Sequence, residues 1–196
     1  MPGYDTPAQD ADPVKILIAG GFGVGKTTLV ETASEIEPLR TEERLTSAGV
    51  GVDDLDGIES KAVTTVAMDF GRITLTDAGV VLYLFGTPGQ ERFWFMWDDL
   101  LNGALGAIVL VDTRRLDRSF PAVDFFENRG LPFVVGANCF HGEQLYTAEE
   151  IGAALHLRDP NTPVLMLDAR SRDDVRGVLL SLLDLLIAKA GATAAG

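Results

Sequence analysis

The chain has 196 residues and a formal net charge of −13, from 16 basic and 29 acidic residues. That length suits one domain with a full-sized core. The acidic balance argues against a nucleic-acid or anionic-membrane partner, since both need a basic surface, and the lone cysteine, Cys139, rules out an intramolecular disulfide and fits a reducing compartment.

Residues 1–12 are polar and proline-bearing and read as a disordered tail. They show no signal peptide, and Pro2 stands where myristoylation needs glycine. The first apolar, β-prone run is Val14–Ala19, followed by a glycine-rich loop and a helix-like stretch from Lys26 to Ile36. Residues 37–62 are acidic and aperiodic, and a loop of that length is functional or disordered. Strands are expected at Thr64–Thr74 and Val80–Phe85, joined by the hairpin turn Thr76-Asp77-Ala78-Gly79, so that one strand runs antiparallel. Beyond them a helix at Trp94–Leu101 precedes a strand at Ala107–Asp112, and a helix at Ser119–Asn128 precedes a strand at Phe133–Ala137. A helix at Ala148–Leu155, a strand at Val164–Asp168 and a helix at Asp173–Ala190 complete the pattern.

This alternation predicts an α/β domain over residues 13–190, with a mostly parallel six-stranded sheet, one antiparallel strand and helices on both faces. Residues 191–196 read as a second disordered tail. The longest apolar stretch, Val178–Ala190, is broken by Asp184 and Lys189 and is too short to span a bilayer. The expectation is a soluble, cytoplasmic protein with no membrane anchor and no nucleic-acid partner.

The loop after the first strand is Gly20-Gly21-Phe22-Gly23-Val24-Gly25-Lys26-Thr27-Thr28. It fits the phosphate-binding P-loop pattern, in the strand–loop–helix context the pattern requires. Glycines let backbone N–H groups converge on phosphate oxygens, and the positive end of the helix adds to the attraction. Lys26 is expected to reach the β- and γ-phosphates and the Thr27 hydroxyl to ligate Mg²⁺.

Four further motifs follow in order. Thr64-Thr65 opens the second strand, and Asp69-Phe70-Gly71 later in that strand is set aside as a kinase motif because no kinase catalytic loop precedes it. Gly86-Thr87-Pro88-Gly89-Gln90 follows an apolar strand. Asn138-Cys139-Phe140-His141 ends another, and Asp168-Ala169-Arg170 ends the last. Cys139 and His141 alone are too few ligands for a metal site.

Together these motifs resemble those of small Ras-like P-loop GTPases, with greatest similarity to the bacterial MglA-type polarity GTPases and especially the actinobacterial conservon GTPases. The resemblance implies a G domain binding GTP or GDP with Mg²⁺. It implies that Thr65, or Thr64 one step away, coordinates Mg²⁺ and senses the γ-phosphate. Gly89 matches the glycine whose amide contacts that phosphate, and Gln90 the residue that orients the attacking water. Asn138 holds the base, the Ala169 amide bonds guanine O6, and the Arg170 stem covers the ring. Asp168 completes that last motif.

Two departures qualify the match. Gly86 stands where most of the family has an aspartate that holds a Mg²⁺-bound water, so that role weakens or moves to another carboxylate. Cys139 and His141 replace a lysine and an aspartate in the guanine-reading motif; a neutral histidine accepts one hydrogen bond where a carboxylate accepts two. Guanine preference is therefore expected to be weaker, and an ATP-using P-loop protein or a nucleotide-binding scaffold with little turnover remain alternatives. The leading reading is a GTP-binding switch with slow hydrolysis, in which Lys26 neutralises charge and Gln90 places water. Arg72 and Arg92 are local arginines for the transition state. The aromatic run Phe93-Trp94-Phe95-Met96-Trp97 cannot all face inward, so part of it is expected to meet a partner. By resemblance that partner is a roadblock-type dimer at the switch face.

Overall fold

The computed structural model describes residues 11–46, 63–142 and 144–194. Seven strands form one sheet: β1 (Asp12–Gly20), β2 (Leu39–Thr46), β3 (Val63–Leu75), β4 (Val80–Gly86), β5 (Ala104–Val111), β6 (Phe133–Asn138) and β7 (Val164–Leu167), in the order β2-β3-β4-β1-β5-β6-β7. Strand β3 is antiparallel to both of its neighbours, and the remaining pairs are parallel. All six expected strands are present, with the one antiparallel strand as expected. The addition is β2, which lies at the sheet edge within the segment expected to be a loop. Its sequence, Leu-Arg-Thr-Glu-Glu-Arg-Leu-Thr, lacks the apolar alternation that reveals a half-buried strand, and charged residues suit an edge.

The helices are α1 (Lys26–Ala33), α2 (Trp97–Leu101), α3 (Phe120–Arg129), α4 (Ala148–Ala154) and α5 (Arg172–Ala194). Helix α5 runs into the segment expected to be a disordered tail, because Ala188-Lys189-Ala190 and the alanines beyond sustain helix propensity. A 3-10 turn at Glu91–Met96 leads into α2. No helix of the described residues is long and apolar enough to cross a membrane.

Strand periodicity divides the core in two. Ile16 and Ile18 of β1, Ile108 and Leu110 of β5, and Val134 of β6 pack with α1 and α5. Their alternating neighbours, including Leu17, Ala19, Val109, Val111 and Val135, pack against α2, α3 and α4. Strands buried on both faces read as unbroken apolar runs, which is why they were recognisable. Helix α5 sits close over β5, where a Cβ at Gly106 would lie 3.0 Å from Leu182 Cδ1. The carboxyl ends of the parallel strands converge beside the loops after β1, β4, β6 and β7, where open α/β sheets place ligands.

Candidate functional site

Three glycines of the loop between β1 and α1 have positive φ, and two of them, Gly20 and Gly25, are also closely packed. Gly20 has φ +135°, and a Cβ there would stand 2.3 Å from the Leu110 carbonyl oxygen. Gly25, at φ +105°, precedes α1, and a Cβ there would stand 2.5 Å from Asn138 Nδ2. No side chain fits at either position without displacing backbone or a buried amide. The turn they permit aims the first amides of α1 into a cleft of about 410 Å³, lined by Phe22, Lys26, Thr27, Asp69, Gly89 and Gln90 among others. Unpaired amides and the helix dipole make this an anion site.

Lys26 is buried, and its Nζ donates to the carbonyls of Gly20 (2.9 Å) and Gly21 (2.8 Å). These bonds arch the side chain back over the loop. Burial of the ammonium lowers its pKa from 10.5 to about 8, and the nearby Asp69 charge offsets part of that effect. A buried cation short of countercharge at the floor of an anion cleft gains from a bound phosphate.

Asp69 lines the cleft, and the motifs missed it. Thr27 Oγ1 donates to Asp69 Oδ2 at 2.6 Å. Asp69 reaches the cleft from β3 because β3 pairs with β4 in the register Phe70–Phe85, so the next step places Asp69 beside Gly86. A Cβ on Gly86 would stand 3.1 Å from Asp69 Cβ and 3.2 Å from Oδ2. A carboxylate therefore stands across the ladder from position 86, and Gly86 leaves room for it. A hydroxyl and a carboxylate held together in a phosphate cleft are the hard oxygen donors Mg²⁺ takes, so the residues fit that ion. Hairpin counting was the available signal: stepping outward from the pair Leu75–Val80 brings Asp69 opposite Gly86.

The loop after β4 is fixed from both sides. The Thr87 amide donates to the Ile18 carbonyl at 2.8 Å. Trp97 Nε1 donates to the Pro88 carbonyl at 3.1 Å, and its ring packs against Phe125 and Phe126. Gly89 lies so close to the P-loop that a Cβ would fall 2.6 Å from Lys26 Nζ and 3.0 Å from Phe22 N. Gln90 follows in extended conformation at the cleft rim. In the aromatic run Phe93 and Trp97 are buried, while Phe95 is 63% exposed, so the run divides between core and surface as expected. Phe22, at 66% exposed, adds an apolar ring to the same rim. Arg72 is committed elsewhere, its Nε donating to Glu35 Oε1 at 2.8 Å. The Arg92 guanidinium stacks 4.7 Å from the centre of the Phe93 ring, which itself lines the cleft.

Adjoining the cleft is a slot of about 110 Å³ lined by Gly25, Thr28, Asn138, Phe140, Asp168, Ala169 and Arg170. Asn138, at the end of β6, is buried and bridges two loops: Nδ2 donates to the Val24 carbonyl (2.9 Å), and Oδ1 accepts from the Ala169 amide (3.1 Å). The Ala169 amide, expected to face guanine O6, is thus bonded to Asn138. Arg170, whose stem is expected to cover the base, folds its guanidinium onto Asp168, with Nη2 to Oδ2 at 2.6 Å and Nε to Oδ1 at 2.9 Å. Cys139 is buried, and burial chiefly, with Asp168 and Asp174 adding, raises its thiol pKa. The structure therefore brings together residues 20–28, Gly89 and Gln90 at one end, and Asn138 with residues 168–170 at the other. The side chains of Thr65 and His141 lie outside the described residues.

The chain is similar to the uncharacterized protein MJ1339 of Methanocaldococcus jannaschii, 30% identical over 129 residues, covering 65% of this chain and 70% of that protein. It is similar to the Ras-related protein SEC4 of Candida albicans, 26% identical over 95% of this chain and 83% of that one. Among solved structures the G domain of the T. maritima FeoB iron transporter matches with a TM-score of 0.60 at 16% identity, over 88% of this chain and 98% of that domain. The chain spans 64% of the length of the larger FeoB cytosolic domain. A family model described as a conserved hypothetical ATP binding protein matches residues 18–188. The strand–loop–helix phosphate cradle, the sheet that carries it and the match over residues 18–188 agree that the chain belongs to the family of conserved hypothetical ATP binding proteins.

Proposed function

We propose that the protein is a GTP-binding switch that hydrolyses GTP slowly with Mg²⁺. The observation that carries this reading is the cleft itself, where Lys26, Thr27, Asp69 and Gln90 converge on one anion site. Lys26 supplies positive charge to the β- and γ-phosphates, and the α1 amides orient them. Thr27 and Asp69 hold the ion together with Thr65, the Asp69 carboxylate taking the role vacated at Gly86. Mg²⁺, when bound, withdraws charge from the phosphoryl oxygens as the bond to the leaving group loosens. Gln90 orients the attacking water, and its extended backbone beside Gly89 supports that placement. Slow turnover is supported by the engagement of two arginines: Arg72 is tied to Glu35 and Arg92 is stacked on Phe93.

The base-reading end supports guanine less directly. The family model is described by ATP and the relative SEC4 as Ras-related, and a purine of either kind suits a slot flanked by Asn138 and Phe140. Gly86 and the proline before Gly89 favour the MglA-type and conservon group. The exposed Phe95, two residues after the cleft-lining Phe93, supports a partner at the switch face, with a roadblock-type dimer as the expected one.

The nucleotide released from gently purified protein is expected to be GDP; recovery of ADP would transfer the reading to the ATP-using alternative. Gln90→Leu should slow single-turnover hydrolysis by about 10²-fold, the lower range for one general-base or water-positioning group, while leaving the dissociation constant for GDP within a factor of about two, since Gln90 lies at the rim rather than among the phosphate donors. Unchanged turnover would move water positioning to another residue.

A further inference from the structure

We propose that the outer face of α5, with the groove beside it, is a docking surface for a second copy of this chain. The surface lies apart from the phosphate cleft and does not depend on which nucleotide the cleft takes.

Helix α5 carries apolar residues on two sides. Val175, Val178, Leu179 and Leu182 are buried in the core under the sheet. Leu180, Leu183 and Ile187 form a second stripe: Leu180 is 48% exposed, Ile187 is 70% exposed, and Leu183 is half-buried. Their spacings of three and four place them on one side of the helix, over about 10 Å at 1.5 Å per residue. Beside the stripe runs a groove of about 380 Å³, walled by Ala33 at the end of α1, by Ile73 and Leu75 of β3, and by Leu180 and Leu183 themselves. Single exposed apolar residues are ordinary on a folded chain, but a stripe continuous with an apolar groove marks an interaction site.

The charges on this face identify the occupant. Arg176 and Asp184 are exposed and have no hydrogen bond or ion pair among the described residues. They stand four residues before and four residues after Leu180. In an isologous pair, residue i meets j and j meets i. Two α5 helices laid antiparallel, with the twofold axis beside Leu180, set Leu180 against Leu180. Arg176 of each copy then faces Asp184 of the other, so both ion pairs form together. Leu183 of one copy lies over Gly177 of the other, where a Cβ would meet nothing within 4 Å. Ile187 reaches the end of the groove bordered by Arg172 and Arg176. The face is thus complementary to itself in shape and in charge. A net charge of −13 makes the surface as a whole repel a second copy, and these two arginines beside an apolar stripe relieve that repulsion locally. One helix and a groove make a small contact beside the roughly 800 Å² per partner of a standard interface, so the dimer is weak and reversible.

Sedimentation velocity of the full chain across roughly 5 to 500 µM tests the proposal. Wild-type protein should pass from monomer to dimer with a dissociation constant on the order of 10–100 µM, as suits a small interface. Ile187→Glu, at an exposed position, should weaken association by at least about tenfold, as loss of an apolar anchor does. Arg176→Asp and Asp184→Arg should each weaken it by about tenfold, because like charges then face each other across the axis. An equimolar mixture of these two variants should associate as well as wild type, since each copy now meets its opposite. Recovery in the mixture also shows that both variants are folded. Wild-type protein that stays monomeric throughout, or a mixture that associates no better than either variant alone, overturns the proposal. So does a monomer that instead floats with phosphatidylcholine vesicles and is released by Ile187→Glu, which would give the face to a lipid surface.

Discussion

Asp69→Ala should lower the Mg²⁺ affinity of the nucleotide complex by about 10–100-fold, the usual cost of removing a carboxylate that supports a metal site. Thr27 loses its partner at 2.6 Å, and the cleft loses the carboxylate that shares its floor with Lys26. The informative experiment is the exchange of residues across the strand pair. Gly86→Asp alone should also impair Mg²⁺ binding, since a Cβ at 86 lies 3.1 Å from Asp69 Cβ and the two carboxylates would repel. The double variant Asp69→Gly with Gly86→Asp removes the clash and restores one carboxylate to the same corner. It should therefore recover more than half of the lost affinity on a logarithmic scale, although each single change is harmful. Titration of Mg²⁺ into the GDP complex, followed by nucleotide release rate, measures all four species. Additive losses in the double variant would mean that the carboxylate of Asp69 serves the fold and not the ion.

The second large effect is on pH. Lys26 has its pKa lowered from 10.5 to about 8 by burial. Between those values the unfolded chain holds a proton that the folded chain has released. Stability from this group therefore rises with pH over that window, and below pH 8 the folded chain bears a cost of about 3 kcal/mol, at about 1.4 kcal/mol per pH unit. Bound phosphate reverses the balance. Its negative charge restores the ammonium, so that binding above pH 8 takes up a proton. The dissociation constant for GDP should rise about tenfold per pH unit between pH 8 and 10, the slope for one coupled proton. Lys26→Met should bind weakly at every pH and show no such slope. A flat profile in the wild-type protein would mean that the ammonium keeps its proton without help from phosphate.

The parts of this molecule that were legible in the sequence are those whose signal is local. Val14–Ala19, the glycine loop and the following helix form one contiguous unit, and every residue of the phosphate cradle lies within it. The central strands were legible because burial on both faces leaves unbroken apolar runs. Strand β2 was not, because it occupies a sheet edge and its sequence carries Arg40, Glu42, Glu43 and Arg44 with no apolar alternation. Asp69 was not, because its role depends on which residue of β4 it faces, a matter of register between strands and not of neighbours in the chain. Its Asp-Phe-Gly context also drew attention to an unrelated motif. In the slot beside the cleft the folded chain bonds the Ala169 amide to Asn138 and the Arg170 guanidinium to Asp168; the first of these joins loops distant in sequence, which no local motif reveals.

The amide of Asn138 joins the carbonyl of Val24 to the N–H of Ala169, and so ties the loop after β1 to the loop after β7 through one buried side chain. Segments bonded through one shared side chain tend to open together and not singly. Amide hydrogens of the two loops should then exchange with solvent at a common rate, and a ligand seated at either end should protect both. Pyrophosphate alone, which carries no base, should slow exchange at Ala169. The protein would thereby register the arrival of phosphate at a place that phosphate never touches.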